Sequence, residues 1–183
     1  MSADSPQVFI VGKIAGATNF THSSIYVKYF FRVGDHWKKI SGQEEGETFQ
    51  SSSQHSKFVP LEHPIDLNYV TKSVRGWPKL LVEVWEVDDQ GRNSLAGYGL
   101  TSLPIEPGEY QFDIPCWRPQ ASFFDKLIGA FPELVHRDLL FSGESRFGFK
   151  VESTGNIHIE LAIITKDFHL HGVQISNKNY LNQ

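Results

Sequence analysis

The chain has 183 residues, with 17 basic and 21 acidic side chains, a net charge of -4, 40% hydrophobic and 13% aromatic residues, and one cysteine. That size suits one domain with short tails, and surface scaling lets such a chain bury about 70% of its extended surface, a core that needs no staples. The single Cys116 excludes an internal disulfide, and the mild negative charge, with no Lys/Arg cluster longer than Lys38-Lys39, argues against nucleic acid as a partner.

Residues 1–7 read as a small polar, flexible lead-in without a charged and apolar leader, which predicts an intracellular protein. The longest apolar runs, Val8 to Val11 and Leu161 to Ile164, fall far short of the roughly 20 residues of a membrane-spanning helix. Alternation with a period of two predicts strands over Val8–Ile14, Ile25–Val33, Trp37–Ile40, Ile65–Val70, Lys79–Val87, Ala96–Leu103, Arg146–Val151 and Ile157–Ile164. In the last, Ile157, Ile159, Leu161 and Ile163 face one way and His158 and Glu160 the other, as on a strand between core and water. Lys79–Val87 is apolar on both faces and reads as a central strand. Turn signals fall at Gly42, Gly46, Gly91, Pro104, Pro107-Gly108 and Gly155, and Ser41–Lys57 reads as a polar connection. One segment departs from this pattern: Phe123, Phe124, Leu127, Ile128 and Phe131 recur at helical spacing between a capping Ser122 and Pro132, predicting one short inserted helix. The expected fold is therefore an all-β antiparallel sandwich over residues 8–173, with a polar tail at 174–183.

Motifs for chemistry are missing. The chain has no Gly-x-x-x-x-Gly-Lys-Ser/Thr phosphate loop, no Gly-x-Gly-x-x-Gly opening a helix, no Gly-x-Ser-x-Gly elbow and no His-Glu-x-x-His pair. Cys116 has no neighbouring His to lower its pKa, so a buried, inert thiol is expected. His169 and His171 would share one face of a strand, but nothing nearby completes a zinc ligand set, and a solvated pair is the expectation. The loop carrying Glu86, Asp88, Asp89 and Asn93 is acidic. Calcium needs about six to eight oxygen ligands drawn from more than one loop. The facing stretch, residues 15–24, holds neither Asp nor Glu, so a polar turn is expected, with no metal and no cofactor.

Two segments nonetheless look like a degenerate calcium-binding C2 domain: Trp85-Glu86-Val87-Asp88 after a strand, and Ser24-Ile25-Tyr26-Val27-Lys28 on the second strand. The C2 motif there is Ser-Asp-Pro-Tyr-Val-Lys, and Ser24 and Ile25 stand where it has Asp and Pro. More specifically, Trp37, Glu45-Gly46, His63-Pro64-Ile65-Asp66, Gly76-Trp77-Pro78, Ala96-Gly97-Tyr98-Gly99 and Thr165-Lys166-Asp167-Phe168 run in the order of the B9-domain family, a C2-like branch found at the base of cilia, which the chain resembles over residues 8–173. Cys116-Trp117-Arg118-Pro119 and Ser142-Gly143 narrow the likeness to one paralogue. These residues read as structural. Pro78 and Pro64 push the residues before them toward extended geometry, and Gly97 and Gly99 suit a bulge or a close backbone approach.

The resemblance implies a non-enzymatic scaffold of the ciliary transition zone in the Meckel-syndrome-type (tectonic-like) complex. It would sit in the cytoplasm at the cilium base and basal body, associated with the cytoskeleton. Its implied partners are other B9-domain proteins and the tectonic-like components, with peripheral membrane contact, and its implied roles are ciliogenesis and the diffusion barrier. Phe123, Phe124 and Leu127 are the candidate partner-binding residues, because an apolar run beyond what its own core covers marks an interface; burial of all three within the core stands beside that reading. The alternative function is a calcium-independent lipid-binding module, with Lys28, Arg32, Lys38 and Lys39 as its basic face.

Overall fold

Side chains that alternate between core and water satisfy both only on a pleated strand, and ten strands do so among the described residues. The computed structural model describes residues 5–53, 56–120 and 150–171. The strands are β1 (Gln7–Thr18), β2 (Ser24–Arg32), β3 (Trp37–Gly42), β4 (Glu45–Glu47), β5 (Ser51–Ser52), β6 (Phe58–Thr71), β7 (Lys79–Val87), β8 (Asn93–Ser102), β9 (Gly108–Pro119) and β10 (Val151–Lys166). A 3-10 turn at Phe168–His171 follows β10.

Pairing is antiparallel throughout these strands. One half of the sheet runs β3-β6-β1-β10-β9 and the other β8-β7-β2-β4, with β5 also on β2. A single residue pair, Tyr98 with Trp117, joins the halves. So thin a hinge lets the sheet curl on itself, and the two inner faces meet as a sandwich. Val8, Ile10 and Ile14 of β1, Ile157 to Ile163 of β10, Leu67 and Tyr69 of β6, and Val27, Phe31, Val82 and Val84 of the opposite half form one buried cluster.

The strand β7 lies between β2 and β8 and is buried on both faces, as its sequence predicts. Leu80, Val82 and Val84 enter the main cluster, while Leu81 joins Phe30, Leu95 and Tyr98 in a second cluster on the other side. The expected all-β sandwich is thus the observed architecture.

Several elements differ from expectation. β9 is an additional strand: Glu109, Gln111 and Asp113 alternate with Tyr110, Phe112 and Ile114, but Pro107-Gly108 and Pro115 punctuate the run. That proline is tolerated because β9 pairs β10 on one side and meets β8 only at Trp117. β6 begins seven residues before the expected Ile65, through Pro60 and Pro64, whose other edge β3 leaves unpaired, since β3 reaches only Leu67–Thr71. The polar stretch Ser41–Lys57 contains β4 and β5, two short strands on the edge of β2. Gly155 is not a turn. It lies inside β10 beside a bulge, where a Cβ would meet the Thr18 carbonyl at 2.6 Å. The helix expected over residues 122–131, and with it Phe123, Phe124 and Leu127, lies outside the described residues, as do residues 146–149 of the expected Arg146–Val151 strand.

Candidate functional site

Calcium-type chemistry would sit where the β1–β2 and β7–β8 loops come together. There two of the loop's three carboxylates, Glu86 and Asp88, are already engaged. Glu86 is buried and accepts the His22 backbone N–H at 2.8 Å. Asp88 accepts the backbone N–H groups of Arg92 and Gln90 and the Arg92 side chain at 2.7 Å, and these bonds hold its carboxyl below the ordinary aspartate range. The loop closes on itself with Gly91 at φ +77°. Among the described residues no group of three or more His, Cys, Asp and Glu is placed to hold a metal ion.

Cys116 is buried, and its thiol leans on the Ile114 carbonyl at 3.5 Å. Burial pushes its pKa up to about 12, so the thiolate a nucleophile requires does not form near neutrality. His169 and His171 are exposed on the 3-10 turn rather than on a strand.

The outer face of the first half-sheet holds a different constellation. Cross-strand registers align Asp66, Val11, Ala162 and Glu109 in one row over β6, β1, β10 and β9, and Pro64, Lys13, Glu160 and Gln111 in the next. Beyond them, His158 Nδ1 lies 2.6 Å from Asp113, and its Nε2 lies 2.9 Å from the Thr18 hydroxyl. A carboxylate accepts only, so Nδ1–H donates to Asp113, while Nε2 and the Thr18 hydroxyl share the second hydrogen bond. Lys13 lies 2.6 Å from Glu62 and 3.5 Å from Glu160. On the opposite side of the first row, Phe9 pairs Ile164, and both Val11 (42% exposed) and Ile164 (53%) meet water. The face is an aliphatic patch with carboxylates around most of its edge and Lys166, opposite Gln7, beyond Ile164. Sequence reasoning missed it, because its residues come from four strands and only the registers bring them together.

Residues 8–164 match the family model B9-C2, described as "Ciliary basal body-associated, B9 protein". The chain belongs to the B9 family. Over 172 residues it is 40% identical to B9 domain-containing protein 2 of Bos taurus and 37% identical to that of Homo sapiens, each comparison covering 92% of this chain and 98% of the relative. B9 domain-containing protein 1 of Xenopus laevis is 29% identical over 188 residues, covering 97% and 95%. Among solved structures, a C2 domain of plant Extended Synaptotagmin 1 aligns over 90% of this chain and 97% of that one, with a TM-score of 0.42 and 12% identity.

The motif residues that carry the B9 resemblance serve the scaffold of the fold. Trp37 Nε1 donates to the Arg75 carbonyl at 2.8 Å, Trp77 Nε1 donates to that of Pro104 at 3.1 Å, and the two rings meet edge to face at 5.1 Å. Gly97 and Gly99 flank Tyr98 where β8 approaches β9, and a Cβ on Gly99 would meet Ile114, Val82 and Cys116 within 3.0 Å. The four residues of the candidate basic face lie on two strands, Lys28 and Arg32 on β2 and Lys38 and Lys39 on β3. Lys28 projects from the outer side of β2, 5.0 Å from the Trp85 ring, and Lys39 pairs at 3.4 Å with Glu44, whose carbonyl accepts from the backbone N–H of Phe31 on β2.

Proposed function

We propose that this B9 protein is a non-enzymatic scaffold subunit of the Meckel-syndrome-type (tectonic-like) complex of the ciliary transition zone. It assembles there with other B9-domain proteins and supports ciliogenesis and the diffusion barrier for ciliary membrane proteins. The observation that carries this reading is the match of residues 8–164 to a basal body-associated family. Likeness to two differently numbered B9 proteins, at 40% and 29% identity, fits a set of paralogous sandwiches in one assembly. A sandwich locked by paired strands keeps its outer faces in fixed shape, and preorganised surfaces associate at lower entropic cost. Its work is surface complementarity, at the cytoplasmic side of the cilium base and alongside the basal-body cytoskeleton.

The reading is tested by depleting the protein in ciliated cells and restoring it as a fluorescent fusion. The expected result is a signal confined to the cilium base, with recovery of cilium number and exclusion of a plasma-membrane marker. Restored cilia with the fusion spread through the cytosol would contradict it. Co-sedimentation with anionic vesicles separates the lipid-module alternative: strong, salt-sensitive binding by the isolated protein would favour that alternative.

A further inference from the structure

We infer that the outer face of β6-β1-β10-β9 is a docking surface for a basic, amphipathic segment of a protein partner. The inference rests on the scaffold reading, because it names the surface such a subunit offers. Phe9, Val11, Ala162 and Ile164 form adjacent cross-strand pairs on this face, with Val11 and Ile164 about half exposed. Water-facing aliphatic residues grouped in this way mark an interface rather than a random surface.

Charge selects the occupant. Asp66 and Glu109 stand at the two ends of the Val11 row, three strand spacings apart, or about 14 Å. Both are exposed, and neither has an ion pair among the described residues. Glu62, Glu160 and Asp113 add three more carboxylates, against Lys13, His158, Lys166 beside Ile164 and Lys38 opposite Val70. Lys13 is held between Glu62 and Glu160 and Lys166 lies 3.9 Å from Asp167, so the five carboxylates of the face outnumber its three lysines. A shallow furrow along β9 and β10, lined by Val11, Glu109, Gln111, Glu160 and Ala162, continues to Phe58, Asp113 and His158. A segment presenting Lys or Arg on either side of Leu, Ile or Val matches that distribution. An anionic lipid surface meets the wrong sign here, and a second copy of this face brings carboxylates against carboxylates.

The test uses the full chain and a fluorescent amphipathic peptide of alternating Lys and Leu, with a Glu/Leu peptide of equal length. The variant Asp66→Lys/Glu109→Lys reverses the two unpaired carboxylates of the face. A second variant, Glu45→Lys/Asp89→Lys, makes the same change in net charge at exposed positions elsewhere. The inference predicts saturable anisotropy with the Lys/Leu peptide, no binding of the Glu/Leu peptide, affinity at least fivefold weaker in the face variant, and unchanged affinity in the control. Equal losses in both variants, binding of the acidic peptide, wild-type dimers broken by the face variant, or wild-type capture of anionic vesicles would each overturn it. Co-elution with the B9 paralogues, run in parallel, separates the two readings. Wild-type co-elution without discrimination between the variants leaves the scaffold and removes this surface. Discrimination without co-elution removes the scaffold reading and leaves the surface.

Discussion

Gly99 has no room for a side chain. A Cβ there would meet Ile114 Cγ2 at 2.7 Å, Val82 Cγ2 at 2.9 Å and Cys116 Sγ at 3.0 Å. All three atoms belong to buried residues on paired strands, so the clash cannot relax by moving a flexible end. Gly99→Val is expected to cost about 2–3 kcal/mol, as overpacking of a dense core does, and urea unfolding followed by Trp fluorescence measures it as a lower midpoint with an unchanged slope. Cys116, packed against the same glycine, gives a second prediction. Its thiol is raised from 9.0 to about 12, so the native protein should not react with thiol reagents at pH 8, and the urea-unfolded protein should react fully. Below pH 9 both states hold the proton, while between 9 and 12 the unfolded chain releases it and the folded chain keeps it, so this group lowers stability as pH rises through that window. Cys116→Ala should flatten that alkaline decline, read as unfolding midpoints at pH 8 and pH 10.5.

The strands divide by how many neighbours protect them. β1 and β10 pair on both sides and supply the most buried aliphatic residues, as does β7, while β3 and β4 end the sheet and β5 has two residues. Amide exchange should therefore be slowest in β1, β7 and β10 and fastest in β3 to β5, approaching global unfolding only in the former group. Slow exchange in β3 equal to that of β10 would contradict this ranking. The same division explains what the sequence made legible. Ile157 to Ile163 alternate with His158 and Glu160 because one face of β10 meets the core and the other meets water, so the strand could be read directly. β9 and the first half of β6 could not. Their prolines read as punctuation in one dimension and become harmless only because the edge they face is unpaired. Gly155 misled for a related reason: it accommodates the Thr18 carbonyl across the bulge, a demand from a distant residue. Of the loop chemistry, the lack of a second acidic loop was legible at once, whereas the capture of Asp88 by Arg92 was not, since it depends on how the turn closes.

At the scale of the whole molecule, the B9 chain is a curled antiparallel sheet with two unlike outer sides. One carries the buried Phe30, Leu81, Leu95 and Tyr98 cluster, with Trp85 and Trp117 packed against it. The other carries exposed aliphatic residues among carboxylates. The family and the fold class were legible from motifs spread over most of the chain, because those motifs are the glycines, prolines and tryptophans that set strand approach. The acidic face was not, because Asp66 and Glu109 are unremarkable until four registers place them in one row. The candidate residues Phe123, Phe124 and Leu127 lie outside the described residues and stay a proposal for partner contact, checked by the same assembly measurement with Phe124→Ser and Leu127→Ser.

The central claim is that this protein works by assembling with its paralogues. The direct measurement is the mass of the species eluted when the purified protein is mixed with other B9-domain proteins at micromolar concentration, by size exclusion with light scattering, in low and high salt. The account predicts a stoichiometric complex that persists in high salt, because buried apolar area rather than screened charge holds it. Elution of every protein as a monomer would contradict it.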